Sequence, residues 1–424
     1  MRRIYGVLYA LLLPVVLLRL WWRGRRNPAY RLRWQERLGR YSTPPPDGAP
    51  LWIHAVSVGE VAATVPLVRA LRDAEPTRPI LFSTTTPTGR DAVERQFGQG
   101  VHHVYFPYDL EAVVDRFLGH FRPRALVLME TELWPNLLAI CRARGLPVYL
   151  ANGRLSPASA RRYALLRPLV REMLHGIACA AVQTTADAER FSGLGMRPER
   201  IVVTGSLKFD IHVPASVYEE GAAIRRELGQ SRPLFMAGST RAGEEESLLD
   251  ALAMIKAVCP DVLLVLAPRH PERFDDVAEL CRRRGFGLQL RSAGMACGAA
   301  VEVFLLDAMG EMMRFYAACD VAFVGGSLVP LGGHNVLEPA ALGVPVVVGP
   351  HLFNFQDIAH KLFIGGSLKV AHDVNDIASI VVAWLTSSDL RDSAGRSGRA
   401  IVEANRGATR RVLAIVSTRD GLMT

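Results

Sequence analysis

The chain has 424 residues, a length that suits two α/β domains. Its six cysteines are scattered with no Cys-x-x-Cys pair, which argues against a disulfide framework or a zinc site. The formal net charge is +9, and residues 1–40 carry all of it with ten Arg and one acidic residue, whereas the rest of the chain has 40 basic and 40 acidic residues. A nucleic-acid-binding protein usually spreads basic charge over a folded face, so this distribution indicates a membrane surface and not a nucleic-acid partner.

An apolar run from Ile4 to Leu18 is followed by Arg19 and the pair Trp21–Trp22. This run falls short of the roughly 20 residues that span a bilayer, but the helix reaches that length at Trp22 if Arg19 extends toward the headgroups. A cleaved signal peptide is the alternative, although no small-residue cleavage site follows the run. We predict that residues 1–40 form a membrane-anchor helix with an Arg-rich interfacial segment, and the Arg load after the run places the folded body on the cytoplasmic side.

The proline-rich residues 41–50 predict a stiff linker. Short apolar runs then alternate with helical stretches, which predicts an α/β fold with parallel sheets covered on both faces. We expect one Rossmann-like domain over 51–205, a polar helix-like connector over 206–232, and a second Rossmann-like domain over 233–424 that includes the C-terminal helices. Ligands bind beyond the carboxyl ends of the strands in such sheets, so the two domains are expected to face a cleft.

The predicted strands are short apolar runs bounded by turn residues, at 51–56, 79–84, 102–106, 124–129, 147–151, 177–183, 201–204, 233–238, 262–267, 301–306, 320–324 and 345–348. Helices are predicted between them, among others at 60–73, 109–119, 157–174, 243–257, 271–284, 309–318, 335–342 and 374–386.

Three motifs in the first half follow predicted strands. Glu60, in Ser57-Val58-Gly59-Glu60, would lie in the first turn of a helix, where it can cap the helix or act as a general base. Glu130 and Glu132 precede a helix that opens at Pro135, and capping is again the alternative to a site. Lys208 is one of four lysines and lies at the edge of the connector, where it either stabilises a leaving phosphate or is a surface residue of a hinge.

The second half offers groups suited to an anion. Arg269 follows a buried strand in Pro268–Phe274, and Met309, Gly310 and Glu311 open a predicted helix whose free N–H groups can meet a phosphate. A glycine-rich turn then leads into a segment similar to the nucleotide-sugar loop of two-Rossmann glycosyltransferases, in which a glutamate bonds the ribose hydroxyls; its residues are Asn335, Val336, Leu337 and Glu338. His270 and His334 are interpreted as loop hydrogen-bonding residues. No Asp-x-Asp occurs, so we expect no divalent metal.

Taken in this order, the segments resemble the 3-deoxy-D-manno-octulosonic acid (Kdo) transferases that glycosylate lipid A in Gram-negative bacteria. The resemblance runs from the anchor to about residue 415 and depends on several blocks together: 57–60, 131–135, 204–210, 268–274 and 325–355.

This resemblance implies a GT-B type glycosyltransferase of the inner membrane that transfers Kdo from CMP-Kdo to the lipid A precursor, with inversion and without a metal or other cofactor. It implies that residues 51–205 bind the acceptor, that Glu60 is the catalytic base, and that Glu130 and Lys208 support the transition state. CMP would be bound by the second domain, at Pro268 and Arg269, at 309–311 and at 335–338.

Two alternatives remain at this point. The same fold could serve a different nucleotide sugar, as in a UDP-sugar transferase or a sugar-nucleotide epimerase, since many such enzymes also lack Asp-x-Asp. A membrane-bound nucleotide-binding scaffold without activity is the other, although carboxylates at several strand ends argue against it.

Overall fold

The computed structural model describes residues 1–294 and 297–419. The chain forms two compact units: Met1–Asp210 together with the residues from Arg406 onward, and Ile211–Asn405. Each unit is built on a parallel sheet of seven strands, which confirms the predicted α/β class with two Rossmann-like halves.

The first sheet has the strand order β3-β2-β1-β4-β5-β6-β7, with every neighbouring pair parallel. Its strands are β1 Leu51–His54, β2 Ile80–Thr84, β3 His102–Tyr105, β4 Ala125–Met129, β5 Val148–Gly153, β6 Cys179–Val182 and β7 Ile201–Val203. The chain runs outward from β1 in one direction and then returns to its other side at β4. This reversal between β1 and β4 is the topological switch point, where doubly wound sheets bind ligands.

The first unit begins with α1 Arg2–Arg26. Helices that follow it cover both faces of the sheet: α2 Val58–Ala74, α3 Pro87–Phe97, α4 Glu111–Phe121, α5 Pro135–Ala143, α6 Pro157–Ala164, α7 Arg167–His175 and α8 Thr185–Gly193. Alternate strand residues enter two separate apolar cores, as Ile53 and Trp52 of β1 do. Burial on both faces explains why these strands are continuous apolar runs in the sequence.

The first helix is long and apolar enough to cross a membrane, with a mean hydropathy of 2.0 over its most apolar window. Large apolar side chains such as Leu11 (70% exposed) and Ile4 (65% exposed) do not pack against the protein. Its first turn does contact the unit, because Arg2 pairs with Glu111 of α4.

The second sheet has the order β10-β11-β9-β8-β12-β13-β14, again entirely parallel. Its strands are β8 Leu234–Thr240, β9 Leu263–Pro268, β10 Leu288–Leu290, β11 Val303–Leu305, β12 Val321–Val324, β13 Val346–Val348 and β14 Leu368–Val370. Its helices are α9 Ala215–Gly229, α10 Glu244–Lys256, α11 Phe274–Arg283, α12 Met312–Ala318, α13 Leu337–Leu342, α14 Gln356–Ile364, α15 Val374–Thr386 and α16 Ser388–Ala404. The switch point of this sheet lies between β8 and β12.

Several predicted elements differ from the observed ones. The single helix predicted at 157–174 is two helices, α6 and α7, because Pro168 lacks the N–H needed to continue a helix and instead lies in the first turn of α7. The helix predicted from residue 309 begins at Met312, since Gly310 has a left-handed φ of 85°. The helix predicted from residue 335 begins at Leu337.

The last helix, α17 Ala408–Arg419, belongs to the first unit, although the sequence pattern assigns residues 233–424 to the second. The Asp210 carboxylate accepts the N–H of Gly407 at 2.6 Å and the N–H of Thr409. Arg411 donates to the carbonyl of Thr204 at 2.9 and 2.6 Å. The returning chain therefore fixes both ends of the segment 204–210.

Candidate functional site

The first group of predicted site residues lies at the switch point of the first sheet. Ser57 caps α2 by accepting the N–H of Glu60 at 3.3 Å. In return the Glu60 carboxylate accepts the Val56 N–H and the Ser57 hydroxyl, each at 2.9 Å. This reciprocal pattern is a capping box, so the capping role considered for Glu60 exists in the structure. It also holds the carboxylate in one orientation directly after β1.

Gly59, the residue before Glu60 in this motif, lies inside α2. Its φ is not positive, and a Cβ there would meet only Ser57 Oγ at 3.9 Å. The backbone therefore does not require glycine, and the space beside it is open.

The neighbouring strand β4 supplies two more carboxylates. Glu130 has a left-handed φ of 54°, which costs a residue with a side chain about 1 kcal/mol or more, and its N–H donates to the Ala151 carbonyl at 2.9 Å. Glu132 accepts the indole N–H of Trp134 at 2.9 Å. Both segments follow strands that pair side by side, β1 and β4, so the carboxylates are brought to the same edge.

The three carboxylates interact electrostatically. Burial raises the pKa of Glu60 against the lowering effect of the Val56 N–H, and the Glu130 carboxylate adds to the rise. Burial, followed by the charge of Glu60, raises the pKa of Glu132 to about 7. Like charges disfavour one another's ionised form. A group in this environment holds a proton more readily than an ordinary glutamate, as a general base operating near neutral pH must.

Lys208 lies in a short 3₁₀ turn, Leu207–Phe209, that packs against α2. The turn is held by Asn152 at the end of β5, whose side-chain oxygen accepts the Leu207 N–H at 3.0 Å. Leu207 itself is buried in the same apolar core as Val61 of α2. The sheet thus brings the Lys208 turn onto α2, the helix whose first turn carries Glu60.

The second group of predicted residues lies at the carboxyl ends of three strands of the second sheet, β11, β9 and β12, with β8 between β9 and β12. Arg269 comes directly after β9, and its N–H donates to the Thr240 carbonyl at 3.0 Å. The segment after β12 turns on Asn335, which accepts the Leu337 N–H and donates to the Glu338 carboxylate, both at 3.1 Å.

Two arginines, Arg241 and Arg269, lie near the carboxyl ends of these strands. Burial lowers the pKa of His334 to about 4, and the cations of Arg269 and Arg241 add to the effect. Burial raises the pKa of Glu338, while its bond from Asn335 and the Arg269 cation oppose that rise. Arg241 also contacts the ring of His270. Arg269, His334 and Glu338 are therefore near one another, as a phosphate and ribose site would require.

The segment Met309–Glu311 is the least enclosed part of this group, since the Met309 side chain is 53% exposed. Glu311 is the N-cap residue of α12 and forms an ion pair with Arg291 at 2.9 Å. The carboxylate of Glu311 is thus already partnered, and the backbone is the part of this segment that remains for a ligand.

A residue that sequence reasoning missed holds the glycine-rich turn in place. Glu244, fully buried at the start of α10, accepts the N–H groups of Arg241, Gly326, Ser327 and Leu328 at 2.8–3.0 Å. A Cβ at Gly325 would come within 2.8 Å of this carboxylate, so the turn needs glycine there. Arg241 was likewise not considered, whereas Glu132 was considered with Glu130 but was given no role. The one signal for Glu244 was a run of three glutamates after Gly243, which follows the first predicted strand of the second domain, 233–238.

No group of three or more His, Cys, Asp or Glu side chains suited to a metal ion occurs in residues 1–294 and 297–419.

Comparisons with known proteins agree with this architecture. A family model described as 3-deoxy-D-manno-octulosonic-acid transferase (kdotransferase) matches residues 32–211. The 3-deoxy-D-manno-octulosonic acid transferase of Haemophilus influenzae is 39% identical over 97% of both chains, and that of Bordetella pertussis is 39% identical over 97% of this chain and 98% of its own. The UDP-GlcNAc 2-epimerase from Neisseria meningitidis, solved with UDP-GlcNAc, has a TM-score of 0.58 and 12% identity over 87% of this chain and 99% of its own, which shows the fold alone.

The paired Rossmann-like units and these relatives define a glycosyltransferase of the GT-B fold. The chain belongs to the 3-deoxy-D-manno-octulosonic acid (Kdo) transferase family.

Replacing Glu244 with Gln tests its structural role. The amide nitrogen cannot accept a hydrogen bond, so at least one pair of buried N–H groups loses its acceptor, and we expect a loss of about 2–4 kcal/mol in unfolding free energy. Glu246→Gln, on the same helix turn but exposed, is the control and should change stability by less than about 0.5 kcal/mol. Urea unfolding of both variants measures this, and equal midpoints would contradict the role given to Glu244.

Proposed function

We propose that this Kdo transferase takes Kdo from CMP-Kdo and attaches it to a primary hydroxyl of the lipid A precursor, with Glu60 as the general base. The observation that carries the proposal is the carboxylate cluster at the β1–β4 switch point, where Glu60 is held by two hydrogen bonds and its pKa is raised. A primary alcohol is a poor nucleophile at neutral pH, so a positioned base is what this acceptor needs.

In the proposed reaction, Glu60 removes the hydroxyl proton as the acceptor oxygen bonds to the anomeric carbon of Kdo. The bond from that carbon to the phosphate oxygen breaks, and its electron pair leaves with CMP. Direct displacement inverts the anomeric centre. Lys208 and Glu130 support this transition state, with Lys208 neutralising charge that develops on the leaving phosphate.

The second unit is proposed to bind CMP through Pro268, Arg269, the backbone of Met309–Glu311, and the segment Asn335–Glu338, which includes Val336 and Leu337. Arg269 provides the phosphate's counter-charge, and Glu338 suits the ribose hydroxyls. The leaving group is a monophosphate, and we propose that cationic side chains and not a divalent metal neutralise it. Family membership favours this donor over the UDP-sugar alternative, which rests on the fold alone.

We also propose that residues 1–40 attach the protein to the cytoplasmic side of the inner membrane, where a lipid acceptor is reached by diffusion in two dimensions. The exposed apolar side chains of α1 support this, as do the cations of Arg25 and Arg31 over the Trp21 ring, at 4.4 and 5.1 Å from its centroid. Tryptophan and arginine together are typical of the membrane interface.

Glu60→Gln removes the base but keeps the side-chain size. We expect transfer of Kdo to a tetra-acylated lipid A precursor to fall by at least about 100-fold, with the Kd for CMP unchanged. Glu189→Gln, exposed on α8, is the matched control and should retain activity. Mass spectrometry of the product and calorimetric titration with CMP measure the two effects. Near-normal transfer by Glu60→Gln would remove Glu60 as the base.

Arg269→Gln removes the proposed counter-charge of the nucleotide phosphate. Loss of a charge-assisted hydrogen bond predicts a Kd for CMP raised about 10- to 100-fold. The exposed Arg283 of α11 gives the control variant Arg283→Gln, for which no change is expected. Titration with CMP and with UDP also separates the proposed donor from the alternative, because tighter binding of UDP would contradict the donor assignment.

Leu11→Lys combined with Val15→Lys places two charges on the exposed face of α1 and leaves the contact of Arg2 intact. Each charge disfavours membrane insertion, so we expect the membrane-bound fraction to fall at least about tenfold in a liposome flotation assay. Leu390→Lys, at an exposed leucine of α16, should float like the wild type. Unchanged flotation of the double variant would refute the anchor.

A further inference from the structure

A cluster of arginines lies at the edge strand of the first sheet, next to the end of β3. It consists of Arg33, Arg37 and Arg90, placed around His103 and Tyr105; we call it the arginine cluster. Two of its members come from the chain before β1 and one from the first turn of α3.

The segment before β1 is fixed to β3 by Glu36. This buried carboxylate accepts the Tyr105 N–H at 2.9 Å and the Arg33 side chain at 2.6 Å. Arg33 donates in addition to the His103 carbonyl at 2.6 Å. Glu36 is thereby fully used in holding the segment, and its charge is matched by Arg33.

Arg37 is the anomalous member. Its side chain is 5% exposed and lies over the Tyr105 ring, 4.1 Å from the ring centroid. Among the described residues its guanidinium pairs with no carboxylate, and its Nε has no hydrogen-bond partner. A cation–π contact returns only part of the free energy that a guanidinium loses on leaving water. A buried arginine of this kind is normally paired with an anion.

Two other buried polar atoms of the cluster also lack a hydrogen-bond partner. The Tyr105 hydroxyl and His103 Nδ1 are buried and find no partner within the part of the chain that the structure describes. Arg33 and Arg90 keep some exposure, with side chains 33% and 18% accessible, so two of the three arginines reach solvent. Arg90 is already paired with Asp91 at 3.0 Å, so Arg37 is the arginine of the cluster without an ion pair among the described residues.

The position of the cluster relates it to the proposed reaction. Tyr105 ends β3 at the same edge of the sheet at which Glu60 follows β1, with β2 between them. Neighbouring strands are about 4.8 Å apart, so these two strand ends are about 10 Å apart. A phosphorylated disaccharide can bridge that distance with its hydroxyl at Glu60.

We propose that the arginine cluster is a phosphomonoester-binding subsite that holds a phosphate group of the acceptor during transfer. The proposal rests on the proposed function, since the acceptor is a phosphorylated glycolipid. Arg37 supplies the main charge, and the Tyr105 hydroxyl and His103 Nδ1 supply or accept hydrogen bonds at the bound phosphate. Arginine is suited to this task because its fork of N–H donors matches phosphate oxygens.

Two variants test the subsite in the full-length enzyme. Arg37→Gln removes the charge, and Tyr105→Phe removes one hydroxyl but keeps the ring beneath Arg37. With the phosphorylated acceptor we expect KM to rise about tenfold or more for Arg37→Gln and about two- to tenfold for Tyr105→Phe. With the same acceptor after phosphatase treatment, KM should equal that of the wild type, as should KM for CMP-Kdo. Arg95→Gln, exposed on α3, is the control and should change neither value.

A binding measurement separates this inference from the proposed function. Inorganic phosphate should raise the thermal unfolding midpoint of the wild type and of Arg95→Gln, and should do so less for Tyr105→Phe and Arg37→Gln. If the wild type transfers no Kdo to either acceptor but this pattern holds, the proposed function fails and the subsite stands. Equal phosphate effects together with an unchanged preference for the phosphorylated acceptor would overturn the subsite. An equal loss with both acceptors that anionic phospholipid vesicles restore would also overturn it, because the cluster would then bind a lipid headgroup.

Discussion

The arrangement of carboxylates after β1 and β4 is the constraint on which the first unit depends. In a parallel sheet all carboxyl ends lie at one edge, and the switch point leaves a gap in the helix cover there. The chain places Glu60, Glu130 and Glu132 at that gap, where burial and the charge of neighbouring carboxylates raise the pKa values of Glu60 and Glu132. The hydrogen bonds of the capping box stabilise the start of α2 and also hold the Glu60 carboxylate in one orientation. The structural role of Glu60 is therefore compatible with the chemical role proposed for it.

For the second unit, the proposed task is to hold a nucleotide phosphate next to a glycine-rich turn. The carboxylate of Glu244 is buried and accepts hydrogen bonds from four backbone N–H groups. The unit's positive charges, Arg241 and Arg269, remain near His334 at the edge. The buried carboxylate thus orders the glycine-rich turn, and the cationic side chains are the groups proposed to meet the nucleotide phosphate.

The fold could be predicted from sequence where burial is two-sided. The central strands are unbroken apolar runs, and every one was found. The edge strands β10 and β14 were missed because each has three residues, and of these only Leu368 is buried. The break before α7 is marked in the sequence by Pro168, which cannot continue a helix. The return of α17 to the first unit depends on Asp210 and Arg411, which bond partners about 200 residues away, and no local pattern encodes such pairing.

The candidate site was predictable to the extent that it follows strands. Glu60, Glu130 and Arg269 each come directly after an apolar run, and the sheet order then places them at an edge. Glu244 and Arg37 do not come directly after an apolar run. Glu244 matters because it is buried and accepts the N–H of Gly326, which is 82 residues away in the chain. Arg37 is buried beside Glu36, which accepts the N–H of Tyr105, 69 residues away. The local sequence pattern predicts which residues lie at a strand end, but it does not predict which charged side chains become buried.

The pH dependence of kcat/KM in the wild type and in Glu130→Gln tests the central claim most directly. If the Glu60 carboxylate is the base and the Glu130 charge raises its pKa, activity falls as pH drops through that pKa, and the acid limb of the Glu130→Gln profile lies at lower pH. An acid limb at the same pH in both enzymes, or a rate that does not depend on pH in this range, would contradict the account.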